Sequence, residues 1–445
     1  MIETKRRAGL FLSLLGLSLF VAASSWAQMD GASDGIDADA LDSLAPSAPL
    51  LDFNQLPNLS ELSSGLKDGA WAEPLSEAQE SLPRYAPAAP EAENEFALTL
   101  GGSSIRVIKD ANAFVSESLK VINGAKKSLD VEMFIVQNQQ LVDALAARAR
   151  EIPVRVVLDP FPGWSPRRIL LKIKLIHELR RAGAQVVFYP VSELHGALFK
   201  IDHAKILIAD KTRAVAGGTN WMKDPGENHD YNLALRGDVV DALNKIFAQA
   251  WALSNGLPPP QIAPPAMDPG TGIEALLTDA DHEEALQALL YHISRAKRIR
   301  AEEYIINDPR IISALIAAHK RGADIQILLD DSDLGGVNAK TVQTFLRAGV
   351  PARFFHDPDG KEKRLHAKAA VFDGSLVILG STNWSRHALR VNHEVALMFR
   401  NAQVAAQLES DFAADWDDRS RIPTRAHGLR ELLILVTAAV GRIVA

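Results

Sequence analysis

The chain has 445 residues, 47% of them hydrophobic and 23% charged, and it has no cysteine. Without cysteine there are no disulfides, no thiolate metal sites and no thiol nucleophile, while the length suffices for two folded lobes. The formal charge of −7 would disfavour a polyanionic partner if it were spread evenly, but it is not.

Residues 1–27 read as a secretory leader. Lys5, Arg6 and Arg7 precede an uncharged apolar run from Gly9 to Ala23, and Ser25-Trp26-Ala27 offers small residues for cleavage. The run is shorter than a membrane span requires. Residues 28–95 read as a disordered acidic linker with seven prolines, in which fourteen acids face only Lys67 and Arg84 and give −12. The leader carries +2, which leaves a mildly basic body of +3 over 96–445.

The body is duplicated. Ser128 to Val136 parallels Arg298 to Ile306, and Val154 to Asp159 parallels Ile325 to Asp330. Each pair has the apolar pattern of a buried strand. Helical stretches follow, closing on Arg181-Ala182-Gly183 and Arg347-Ala348-Gly349, where glycine suits a helix end. Short strands come next, from Val186 to Tyr189 and from Arg353 to Phe355. His203-Ala204-Lys205 then aligns with His366-Ala367-Lys368, and Gly217-Gly218-Thr219-Asn220 with Gly380-Ser381-Thr382-Asn383, both at an offset of 163. Strands alternating with helices predict an α/β fold of two similar mixed-sheet lobes related by a pseudo-twofold. The expected lobes are 96–256 and 271–420, joined by a Pro-rich connector over 257–270. Residues 421–445 end in an apolar stretch expected to form a last helix, either packed on the body or lying at a membrane surface.

On a strand, residues two apart share a face, so His203 projects with Lys205 and His366 with Lys368. Two imidazoles and two cations suit phosphodiester chemistry. One histidine attacks phosphorus and forms a phosphohistidine; the other protonates the leaving oxygen and then takes a proton from the acceptor. The lysines, with Asn220 and Asn383, hold the non-bridging oxygens. No metal or other cofactor is called for. Each histidine needs a carboxylate to fix its tautomer. Glu394 is the candidate for His366 and Asp230 for His203, although strict alignment places Asn232 at the position of the first acid.

His-x-Lys-x4-Asp followed by Gly-(Gly/Ser)-x-Asn, twice in one chain, resembles the phospholipase D superfamily over residues 96–420. The resemblance implies one active site at the pseudo-twofold between the lobes, with His203 as nucleophile and His366 as acid. It also implies that Asp210 and Asp373, the last members of the motifs, anchor the turns that follow. The expected site is thus His203, Lys205, Asp210, His366, Lys368 and Asp373, with Thr219, Asn220, Ser381 and Asn383 for the phosphate and Asp230 and Glu394 as orienting acids.

Other residues are open to two readings. Trp221 and Trp384 either wall the cleft or pack in the core. Glu132 and Glu302 sit in apolar strands and either pair with the motif lysines or form structural ion pairs. His195 lies in a loop before the first motif and either reaches the site or faces solvent. Arg167, Arg168, Lys172, Lys174, Arg180 and Arg181 form either an anion-binding patch or a solvated helix face.

The resulting expectation is an exported, periplasmic or secreted, monomeric phosphodiesterase acting on phospholipid through hydrolysis or transphosphatidylation, with peripheral membrane contact. Cardiolipin synthase-like phosphatidyl transfer is the alternative. An exported endonuclease is a further one, for which +3 is a weak charge, and a non-catalytic scaffold is the last.

Overall fold

A computed structural model describes residues 96–97 and 103–423, apart from 161–165, 191–199, 332–336 and the single positions 224, 271, 280, 359, 361 and 363. The leader, all but the end of the acidic linker, His195 and the apolar C-terminal stretch lie outside the described residues.

Lobe 1 runs in the order β1 (Phe96–Ala97), β2 (Ser104–Ile108), α1 (Ala111–Gly124), β3 (Leu129–Met133), α2 (Gln139–Ala149), β4 (Val154–Leu158), α3 (Pro166–Arg181), β5 (Gln185–Phe188), β6 (Lys205–Ala209), β7 (Arg213–Gly217), β8 (Asn228–His229), β9 (Asn232–Arg236) and α4 (Val240–Ser254). Lobe 2 repeats the plan: β10 (Ile273–Thr278), α5 (Glu284–Ile293), β11 (Arg298–Glu303), α6 (Pro309–Lys320), β12 (Asp324–Leu329), α7 (Val337–Ala348), β13 (Ala352–Phe355), β14 (Arg364–Leu365), β15 (Lys368–Phe372), β16 (Leu376–Gly380), β17 (Glu394–Arg400), α8 (Ala402–Asp418) and β18 (Ser420–Arg421).

The two sheets have the same order, β2-β9-β7-β6-β3-β4-β5 and β10-β17-β16-β15-β11-β12-β13, with β1 and β18 added at one edge of each. In each sheet the strands joined by helices pair in parallel, β3 with β4 and β4 with β5, and β11 with β12 and β12 with β13; the other ladders are antiparallel. Both faces of each sheet are covered, so β16 and the interiors of β6, β7 and β15 are apolar, while β3 and β11 bury Asp130, Glu132, Arg300, Glu302 and Glu303 among apolar residues. In β6, Leu207 and Ala209 face α1–α3, whereas Ile206 and Ile208 enter a core shared by the lobes. In β15, Ala369 and Val371 enter that shared core, and Ala370 and Phe372 face α5–α7. Between the sheets, α4 contributes Leu243 and Phe247, and α8 contributes Leu408 and Phe412. The layers are therefore helices, sheet, shared core, sheet, helices.

Side chains set the helix starts. Asp110 accepts from the Ala113 N–H at 2.8 Å, and Asp308, followed by Pro309, accepts from the Arg310 N–H at 2.8 Å.

Asp210 and Asp373 close β6 and β15 at positive φ, 54° and 51°. Asp210 Oδ1 accepts the N–H groups of Lys127 and Ser128, at 2.6 and 3.2 Å, and both its oxygens accept that of Lys126. Asp373 Oδ1 accepts those of Lys297 and Arg298, both at 2.8 Å. Each aspartate sits in the turn itself and ties down the segment entering the neighbouring strand, β3 or β11. Asp210 also spans the turn that follows, accepting from Arg213 Nη2 at 3.1 Å. Five residues of strand separate each from its motif lysine, ~17 Å, so neither belongs to the catalytic set. Asp210→Ala and Asp373→Ala are expected to lower stability by about 1–2 kcal/mol each in urea unfolding. Unchanged midpoints in both variants would count against the anchoring role.

Candidate active site

His203 and Lys205 stand where β6 begins, level with the end of β3: Met133 is the ladder partner of Lys205, as Glu303 of β11 is of Lys368. The lobes meet at this level through their main chains. The His203 N–H donates to His393 O and the His393 N–H to Ile201 O, both at 2.8 Å. Across the pseudo-twofold, β14 pairs in parallel with β8, and the His366 N–H donates to His229 O at 2.8 Å. The segment leading into each motif histidine is thus zipped to the segment leading into the other lobe's carboxylate.

This zipper crosses the partners. His203 Nδ1 lies 2.9 Å from Glu394 Oε2, and His366 Nδ1 lies 2.6 Å from Asp230 Oδ2. The sequence-based assignment of Glu394 to His366 and of Asp230 to His203 is corrected: each acid serves the histidine of the opposite lobe. The ladders also settle the place of Asn232. Gly217 pairs with Asn232 whereas Gly380 pairs with Ala396, so β9 is offset by one further residue and Asp230 is the counterpart of Glu394. The Asn232 side chain instead clasps Thr219, accepting from its N–H at 3.1 Å and donating to Oγ1 at 2.8 Å.

One expected phosphate ligand is reassigned by such contacts. The Thr219 Oγ1 accepts from Asn232, which leaves its own proton to donate. Ser381 is fully buried; its hydroxyl donates to Glu394 Oε2 at 2.6 Å and accepts from the Val395 N–H at 3.0 Å. Ser381 thus positions Glu394. Its counterpart is Gly218, where a Cβ would lie 2.0 Å from Asp230 Oδ1, so the lobe-1 acid occupies the space that a side chain would need. Asn220 and Asn383 each have a buried Oδ1 with no hydrogen-bond partner.

Lys205 Nζ donates to the His203 carbonyl and Lys368 Nζ to the His366 carbonyl. Each ammonium also lies near a ring that the sequence reading did not single out, Lys205 at 5.4 Å from Phe134 and Lys368 at 5.1 Å from Tyr304. The same rings contact His203 and His366 at 5.1 and 5.0 Å. The only sequence signal for them was their equivalent place one residue beyond β3 and β11.

Trp221 and Trp384 are core residues, 1% and 2% exposed, whose carbonyls accept from Gln137 and Asn138 and from Asn307 and Asp308. Glu132 and Glu302 meet neither motif lysine. Glu132 lies 2.7 Å from His393 and Glu302 lies 3.3 Å from His229, each a histidine of the other lobe. Of the basic cluster, Lys172 is buried and donates to Asp159 O at 2.6 Å, Lys174 bonds Gln139, and Arg180 bonds Val186 O. These three are structural contacts, neither an anion patch nor a simple solvated face.

Burial sets the electrostatics. It lowers the His203 pKa against the pull of Glu394, and it lowers His366 to about 4 with help from Lys368. Burial also brings Lys205 down to about 7 and depresses Lys368. Burial opposes the ionisation of Glu394, but His203, Lys205 and Ser381 hold its pKa below the usual range. The resting site offers two neutral imidazoles, oriented through Nδ1, beside two lysines that lack an anion of their own. A phosphodiester supplies one.

Two tests follow from this geometry. Asp230→Asn is expected to move the ring 15N resonances of His366 and leave those of His203 in place, and Glu394→Gln to do the reverse; the opposite pattern would restore the in-lobe pairing. The second concerns acid stability. An unfolded histidine binds its proton near 6.5, and His366 in the fold only near 4. Between these values the unfolded state holds more protons, so stability falls as pH falls from 6.5 to 4, by about 3 kcal/mol for this group. His366→Gln should show a correspondingly shallower loss in pH-dependent unfolding. Equal slopes would refute the depressed pKa.

Residues 119–251 and 289–416, each segment centred on one His-x-Lys strand, match the family described as "Cardiolipin synthase, PLD-like domain". A cardiolipin synthase of Geobacillus sp. (strain WCH70) is 27% identical over 366 residues, covering 76% of this chain and 71% of that protein. Cardiolipin synthase A of Pseudomonas aeruginosa PAO1 is 25% identical over 343 residues, covering 71% of this chain and 68% of its own length. The phosphatidylserine synthase of Haemophilus influenzae Rd KW20 superposes with a TM-score of 0.59 at 15% identity, over 75% of this chain and 91% of that one, a likeness of fold. With more than half of its residues matched to the family, and two His-x-Lys strands facing one interface, the chain is a member of the phospholipase D superfamily, in its cardiolipin synthase-type PLD-like family.

Proposed function

We propose that this enzyme is a phosphatidyltransferase of the cardiolipin synthase type. The observation that carries the reading is the burial of both imidazoles, His203 at 7% and His366 at 8% exposure, at a site holding two lysines in need of an anion. A phosphohistidine formed there is shielded from bulk water, which favours a lipid hydroxyl as acceptor. The cardiolipin synthases among the relatives support transfer over hydrolysis.

In the proposed reaction His203 Nε2 attacks the phosphorus of a phospholipid. The bond to the headgroup oxygen breaks, and that oxygen takes a proton from His366. Lys205, Lys368, Asn220 and Asn383 hold the non-bridging oxygens. Held low in the empty site, His366 gains its proton once the phosphate anion offsets the two lysines. The hydroxyl of a second lipid, phosphatidylglycerol, then gives its proton to His366 and attacks phosphorus. The P–N bond breaks, and His203 is neutral again. Both half-sites lie in one chain, so a monomer suffices. The same reading has the leader direct export, to the periplasm or the medium, where the enzyme meets its lipid at the membrane surface.

Full-length protein incubated with phosphatidylglycerol vesicles is expected to yield cardiolipin and glycerol, and rapid denaturation in detergent without acid to trap a phosphatidyl group on His203. His203→Gln and His366→Gln should each lower the rate by about 10²–10⁴-fold. Phosphatidic acid without cardiolipin would make the enzyme a phospholipase D instead. Nicking of plasmid DNA with no lipid turnover would sink the lipid reading altogether.

A further inference from the structure

Beside the catalytic pair, on the lobe-1 side, lies a cluster that the reaction does not use. Glu132 on β3, Asp202 next to His203, and His393 next to Glu394 bring a carboxylate oxygen or ring nitrogen each to within 4.8 Å of one another. All three side chains are fully buried. Both Glu132 oxygens, Asp202 Oδ2 and both His393 ring nitrogens lack a hydrogen-bond partner. The approach of Glu132 Oε1 to His393 Nε2, 2.7 Å, misses hydrogen-bond geometry. Tyr189 stacks on His393 at 4.7 Å between centroids, and its hydroxyl too has no partner. Among the described residues no lysine or arginine bonds to either carboxylate.

The pseudo-twofold counterpart shows how the same place looks when it is satisfied. There His229 has Glu302 at 3.3 Å, Asp415 at 3.2 Å and Glu362 at 2.8 Å. Lys109 pairs with Asp415 at 2.9 Å and Arg419 with Glu362 at 2.5 Å. Burial opposes protonation of His229, yet these acids raise its pKa well above the ordinary value, so it is a cation among carboxylates. Leu365 stands at the place of Asp202. The lobe-1 cluster has one acid more at that position, and the nearby Lys172 and Lys205 attract Asp202 without bonding to it. Orphaned buried carboxylates beside a neutral imidazole are costly without a positive charge.

We propose that Glu132, Asp202 and His393 hold a structural divalent transition-metal ion, zinc before manganese. One imidazole and two carboxylates are a donor set such ions accept. The double positive charge balances both acids. The ion would clamp β3 and the residue before His203 to the residue before Glu394, across the lobe interface. It takes no part in phosphoryl transfer.

Full-length protein, expressed with zinc in the medium and purified without chelator, is analysed by inductively coupled plasma mass spectrometry. The expected content is about one zinc per chain. Glu132→Gln and Asp202→Asn should each bring it below about a tenth of that, while Glu302→Gln in the counterpart cluster keeps it. Refolding with zinc should give a higher thermal midpoint than refolding with EDTA. Should the variants fail to fold, the unaltered chain decides. Less than about a tenth of an equivalent of any divalent metal, both as purified and after refolding with zinc, overturns the proposal. Full zinc content in soluble Glu132→Gln overturns it as well.

Discussion

Two main-chain hydrogen bonds, from His203 to His393 and from His366 to His229, fix the relation on which the site depends. Each joins the approach to a motif histidine with the approach to the other lobe's carboxylate. The next residue along, Glu394 or Asp230, is then within reach of the opposite imidazole. The bonds form where the shared core holds the sheets together through Ile206, Ile208, Ala369 and Val371. Apolar burial supplies the adhesion, and the backbone bonds supply the register.

The two half-sites are alike in topology and unlike in detail. The lobe-2 acid is a glutamate steadied by the Ser381 hydroxyl, whereas the lobe-1 acid is a shorter aspartate set against Gly218. Reach and bulk are exchanged: the longer side chain goes with the serine, and the shorter one fills the space that glycine leaves. Asn232 makes up the difference in lobe 1 by holding the Thr219 loop. The imidazoles are therefore held by different means, which suits two histidines that must do different work.

Much of this was legible in the sequence. The doubled His-x-Lys and Gly-x-x-Asn segments at one offset disclosed the duplication, and the alternating strands and helices disclosed the mixed α/β lobes. The candidate histidines and lysines of the site came from the same repeat. What was not legible depends on contacts between lobes. The crossing of Asp230 and Glu394 arises from two parallel bridges between segments 136 and 191 residues apart, which no local spacing records. Asn232 looked like the acid's equivalent because it lies two residues from Asp230, and an alignment slip of two keeps every side chain on its face. Ser381 looked like a phosphate ligand since a hydroxyl beside a site can serve substrate or neighbour, and only its partner decides. Phe134 and Tyr304 escaped notice because an aromatic residue at a strand end looks like core.

The crossing has a consequence for how the molecule can fail. Neither lobe contains a complete histidine–carboxylate pair, so a lobe on its own, however well folded, has an imidazole with no acid to fix its tautomer. Any loosening of the interface would disarm both halves in the same event. Competence is thus a readout of quaternary-like closure within a single chain: the reactive centre exists only while the two domains are docked, and a separated form is silent before it is unfolded.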